Sequence, residues 1–88
     1  MENLRKKMKE AATQVEAINI LTEYIAAHPE SDEALTLRGM KYWGLGKRSL
    51  AINDYLAAID INPRSKARMA LQAANEILDY RNKDLYNP

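Results

Sequence analysis

Residues 17–29, AINILTEYIAAHP, realign on residues 51–63, AINDYLAAIDINP, when the chain is shifted against itself by 34 positions. Five positions coincide: Ala17 with Ala51, Ile18 with Ile52, Asn19 with Asn53, Ile25 with Ile59, and Pro29 with Pro63. Leu21 and Tyr55 keep a large apolar group at a sixth. A fixed period of this length is the mark of a supersecondary unit that stacks on its own copy, because one such unit cannot bury its apolar face alone. That restricts the chain to a narrow set of architectures before any other feature is weighed.

The spacing within each copy says what the unit is made of. Val15, Ile18, Leu21, Tyr24 and Ile25 fall at three- and four-residue steps, as do Ile52, Tyr55, Leu56 and Ile59, so each copy holds an amphipathic helix. Thr13 followed by Glu16 has the spacing of a capping box and marks a helix start. Pro29 and Pro63 disfavour helical geometry in the residue before them and so close the helices at His28 and Asn62. Ser31 or Asp32 can cap the helix that follows Pro29, and Ser65 the one that follows Pro63. The pattern predicts five helices over residues 2–11, 14–27, 32–45, 48–60 and 66–81, with a tail over 82–88. Composition agrees: 47% hydrophobic and 28% charged residues are too apolar for a disordered chain, and 3 Gly with 3 Pro are too few turn residues for an all-β one.

Residues 35–63 carry a finer pattern: Leu35, Arg38, Gly39, Tyr42, Leu45, Gly46, Ala51, Tyr55, Ala58 and Pro63. In spacing this resembles the tetratricopeptide repeat, W-x2-L-G-x2-Y, A-x3-F, P, with Leu35 and Tyr55 standing where that family has Trp and Phe. Arg38 departs from the family's Leu, and its guanidinium must reach water or find a carboxylate. Gly39 and Ala51 are small where two helices would cross closely, with Tyr42 and Tyr55 beside them, and Gly46 can take a positive φ past a helix end. A first copy is weaker, with Ala17, Leu21 and Pro29 in place but Arg5 at the small-residue position. A third has Met69 and Ala73 and no second helix. The resemblance implies a right-handed α-α superhelix of antiparallel hairpins: one domain over 1–88, with repeat 1 at about 1–31, repeat 2 at about 32–65, and a closing helix and tail at 66–88.

In such stacks the first helix of each hairpin lines a concave groove, which implies Glu2, Lys6, Lys9 and Glu10, then Glu33, Thr36, Met40 and Trp43, then Ala67, Ala70, Ala74 and Ile77. Met40 and Trp43 are the expected anchors, since a lone Trp offers a large contact area and Met adapts to irregular partners. Trp43 packed on the closing helix, against Ile77 or Leu78, is the competing expectation. Some members of the family clamp a C-terminal carboxylate with Lys, Asn and Arg. The matching positions here hold Glu2, Lys6, Thr36, Met40, Ala70 and Ala74, so that constellation is absent. The resemblance thus implies a scaffold or adaptor that holds a peptide or helix of a partner protein, with self-association into a homodimer through Ala70, Ala74 and Ile77 as the alternative.

Other classes of function find little support. Thirteen basic and 12 acidic side chains leave a net charge of +1, so no global field draws in nucleic acid or an anionic membrane. Arg5, Lys6, Lys7 and Lys9 alternate with Glu2 and Glu10 and are expected to be a solvated face. With no Cys there is no disulfide and no thiolate chemistry. His28 is the only His and is expected in a solvent-facing connection. Asp32, Glu33, Asp54 and Asp60 are expected at helix ends or exposed faces. Ser31, Ser49 and Ser65 lack a neighbouring base, and the run from Gly44 to Lys47 is too short for a phosphate loop. No enzyme activity and no cofactor are expected. The basic N-terminal segment precedes no apolar run of signal-peptide length, and no stretch approaches the ~20 apolar residues of a membrane span, which suggests a cytoplasmic protein. Tyr80, Leu85 and Tyr86 are expected to fold back on the closing helix.

Overall fold

The boundaries of the helices follow from a few side chains whose geometry is set by backbone amides that would otherwise lack a partner. The computed structural model describes the backbone of residues 2–86 and the side chains of residues 4–77. Its five helices are α1 (Glu2–Glu10), α2 (Gln14–Ala27), α3 (Asp32–Gly44), α4 (Arg48–Ile61) and α5 (Ala67–Tyr86). Thr13 is extended, and its hydroxyl accepts a hydrogen bond from the Glu16 amide at 3.1 Å. The Glu16 carboxylate reaches back to the amide of Ala12 at 2.9 Å, one residue earlier than a capping box requires. Ser31, rather than Asp32, caps α3 by accepting from the Ala34 amide.

The two prolyl turns are copies of one another. The His28 amide donates to the Tyr24 carbonyl and the Ser31 amide to the His28 carbonyl; 34 residues on, the Asn62 amide donates to Ala58 and the Ser65 amide to Asn62. Past α3, Gly46 has a φ of 76°. Its amide bonds the Trp43 carbonyl at 3.0 Å and the Lys47 amide bonds that of Tyr42 at 2.9 Å, the paired bonds of a Schellman ending that reverses the chain within three residues.

The last helix differs from expectation. Its backbone continues as one helix to Tyr86 rather than ending near 81, because nothing between Asp79 and Tyr86 is a Pro or Gly that would stop it. Leu85 and Tyr86 therefore extend α5 and do not turn back along it; their side chains, with those of Leu78 and Tyr80, lie outside the described residues.

Packing centres on α3. Leu4, Leu21 and Ala34 form one buried cluster, joined by Met8, Ile20, Tyr24, Ile25 and Leu37. Leu35, Ala51, Tyr55, Ala58 and Ala67 form a second, joined by Ile25, Tyr42, Trp43, Ile59, Ala70 and Leu71. Successive positions of α3 supply both, so this helix is the shared wall. Asp32 pairs with Asn62 and Arg38 with Asp54, which fixes α3 and α4 as antiparallel, since one residue number rises as the other falls. At their crossing, a Cβ added to Gly39 would lie 2.6 Å from the Tyr55 ring. The equivalent Ala17 and Ala51 are both buried. The molecule measures 49 × 30 × 16 Å, thin enough that Leu21 is its one large side chain with no exposure among the described residues. Val15, expected on the inner face of α2, is exposed.

Candidate functional site

Side chains of α1, α3 and α5 come to the surface on one face of the molecule. Two hollows meet there. The first, of about 840 Å³, takes Arg5, Met8 and Lys9 from α1, Asp32, Glu33, Thr36, Leu37, Met40 and Lys41 from α3, and Asn62, Arg64, Ser65 and Lys66 from the second prolyl connection. The second, of about 290 Å³, is lined by Met40 and Trp43 of α3, Tyr55 of α4, and Ala70, Ala73, Ala74 and Ile77 of α5. Met40 belongs to both and is 53% exposed. The spacing along α3 explains this: Glu33, Thr36, Met40 and Trp43 recur at three- and four-residue steps on one face.

Of the residues expected to form a groove, Lys9, Glu33, Thr36 and Met40 come together in the first hollow, and Met40, Trp43, Ala70, Ala74 and Ile77 in the second. Lys6 is exposed and lines neither, and the Glu2 side chain lies outside the described residues. Three of the set are corrected in role. Ala67 is fully buried in the cluster with Leu35, Ala51, Tyr55 and Ala58 and lines neither hollow. Thr36 is only 6% exposed: its hydroxyl donates to the Asp32 carbonyl at 2.8 Å and lies 3.2 Å from the Ser65 hydroxyl. With the Thr36 proton committed, Ser65 is the donor between the two hydroxyls, while it accepts from the Ala67 amide at 3.1 Å. Thr36 thus fastens α3 to the start of α5 and has no hydrogen left for a ligand. Ala74 is 2% exposed and forms floor, not rim.

Both expectations for Trp43 describe part of its position. The indole packs on the cluster of Leu35, Ala51, Tyr55, Ala58 and Ala67, and its remaining surface lines the hollow with Ala70 and Ile77. The Arg48 guanidinium stands 5.2 Å above the ring, a cation-π contact that holds its orientation.

Electrostatics beneath the surface are dominated by one pair. Arg38 donates from Nε to Asp54 Oδ2 at 2.8 Å and from a terminal nitrogen to Oδ1 at 2.7 Å, a two-pronged bond, and a further nitrogen reaches the Thr22 hydroxyl at 3.3 Å. Arg38 has found the carboxylate it needed. Asp54 is correspondingly not on an exposed face but buried in the middle of α4, which is tolerable because both its oxygens are satisfied. The hydrogen bond to Asp54 raises the Arg38 pKa further above its ordinary value, against the lowering effect of burial. Burial first, and then the negative charge of Asp54, raises that of the Tyr55 phenol. His28 is exposed, as expected, with its ring against Tyr24 and Nδ1 3.7 Å from Glu30.

Arg5, Met8, Leu37, Lys41, Arg64 and Lys66 were not expected at the site. Lys41 and Leu37 are four residues apart on α3 and were legible as a second stripe beside Met40. Arg64 and Lys66 were not, because their placement depends on how the second prolyl turn returns the chain over α3.

These observations define an all-α protein of five helices, with no helix among the described residues long and apolar enough to cross a membrane. No family profile, curated protein or solved structure matches the chain.

Proposed function

We propose that this chain is a tetratricopeptide-type adaptor that holds a peptide or short helix of another protein along the face formed by α1, α3 and α5. The observation that carries this reading is the continuity of the two hollows through Met40, whose side chain is more than half exposed between a basic hollow and an apolar one. The equivalence of the two prolyl turns and the Gly39 crossing support the repeat assignment, and with it a right-handed superhelix. A large, adaptable anchor at the centre of a concave surface is the arrangement in which a few side chains supply most of the affinity. Partner proteins captured from the source cell are expected to bind Met40→Ala and Trp43→Ala at least about tenfold more weakly than the native chain. Unchanged affinity in both variants, with their thermal melts intact, would refute the groove as the docking surface.

Self-association is the second reading. Met69 is 76% exposed and Leu56 is also exposed, on the side of α4 and α5 where another hairpin's second helix would pack. Of Ala70, Ala74 and Ile77, the residues expected to pair two copies, Ala70 and Ala74 are largely covered within one chain and Ile77 is 43% exposed.

A further inference from the structure

The charges around the first hollow say more about an occupant than its shape does. Five cationic side chains and two carboxylates line it, whereas the whole chain carries an excess of only one positive charge. Both carboxylates are already engaged: Glu33 accepts from Arg5 at 3.2 Å and Asp32 from the Asn62 amide group at 3.4 Å. Lys9, Lys41, Arg64 and Lys66 have no carboxylate within 4.0 Å among the described residues. These four come from α1, from α3 and from the connection into α5. Only the folded chain gathers them, and they surround an apolar floor of Met8, Leu37 and Met40.

Building on the adaptor reading, we infer that the hollow takes an acidic peptide segment, one that seats an apolar side chain on Met8, Leu37 and Met40 and places flanking Asp or Glu carboxylates against Lys9, Lys41, Arg64 and Lys66. Charge complementarity selects the sign of the ligand, since bringing a second cationic chain to four unpaired cations is repulsive. The floor selects its class. A single-stranded nucleic acid is held by aromatic surfaces on which bases stack, and the lining of this hollow contains none; a duplex offers no apolar side chain to the Met8, Leu37 and Met40 surface. The ligand's side-chain carboxylates are the recognised groups. Of the six positions that would clamp a terminal carboxylate, Lys6 lines neither hollow, Thr36 is already bonded within the protein, Met40, Ala70 and Ala74 are apolar, and the Glu2 side chain lies outside the described residues.

Random 12-residue peptides displayed on phage and selected against the full chain provide the test. The recovered sequences are expected to be rich in Asp and Glu around one large apolar residue, to lose about tenfold in affinity when their acids are replaced by Asn and Gln, and to weaken as salt is raised. Lys41→Glu with Lys66→Glu should cause a similar loss, with the helical spectrum and melting temperature unchanged, and Met40→Ala should weaken the same peptides. Binders that keep their affinity after acid-to-amide replacement, yet still respond to Met40→Ala, would overturn the acidic specificity and leave the groove standing. Binders indifferent to Met40→Ala and Trp43→Ala, or no binders at all, would overturn both. A single-stranded RNA homopolymer that displaces the peptide with equal affinity and equal sensitivity to the Lys41 and Lys66 reversals would show a general polyanion site and defeat the peptide assignment.

Discussion

Gly39 stands where α3 crosses close to α4, and the reason is steric. A methyl group there would meet two Tyr55 ring carbons at 2.6 and 2.8 Å and the Ala51 carbonyl oxygen at 3.1 Å. Tyr55 is itself buried and cannot swing clear, so Gly39→Ala forces the helices apart, a strain of about 1–3 kcal/mol. The better helix propensity of Ala returns about 1 kcal/mol. A net loss of up to about 2 kcal/mol is expected, read as a fall of up to roughly 15 °C in the thermal midpoint. A rise in that midpoint would mean that the crossing is looser than described. Trp43 shows the opposite economy at the same scale, since one ring serves both the core and the surface hollow.

Among the helices, the most informative comparison is internal to the chain. A shift of 34 residues places Leu4 under Arg38 and Ile20 under Asp54. The first hairpin therefore places two apolar side chains, Leu4 buried with Leu21 and Ala34 and Ile20 partly buried against them, where the second places an ion pair. Removing one member of the pair strands the other: Asp54→Ala is expected to cost about 2–3 kcal/mol, at or below the usual range for a buried pair because Arg38 keeps some contact with water. The double variant Arg38→Leu/Asp54→Ile transplants the first hairpin's solution and should recover most of that loss. Urea denaturation of the two variants decides the matter, and a double variant as unstable as the single one would mean that the two hairpins are not equivalent environments.

For the whole molecule, α5 packs on α4, yet among the described residues no helix covers Met69 and Leu56. Exposed apolar side chains at the end of a repeat stack favour association with another surface. If a second copy supplies it, sedimentation over a wide range of concentration will show a dimer that Met69→Glu abolishes. A monomer at every concentration would eliminate self-association and leave the groove as the sole docking surface proposed.

Helix positions were legible in the linear chain because their signals are local. Thr13, Ser31, Gly46, Pro29 and Pro63 act on amides and dihedral angles within a few residues, and the 34-residue echo from Ala17–Pro29 to Ala51–Pro63 needs no tertiary information. The run of α5 to Tyr86 was missed because an absence of stop signals is weaker than their presence. What only the tertiary structure decided concerns pairs distant in sequence. Asp54 looked like a solvated carboxylate until α3 brought Arg38 against it, and Thr36 looked like groove surface until the second prolyl turn laid Ser65 on its hydroxyl. Lys9, Lys41, Arg64 and Lys66 became one basic rim in the same way. Burial and charge clustering are properties of neighbours in space, and a one-dimensional pattern fixes which face a residue occupies but not what that face will meet.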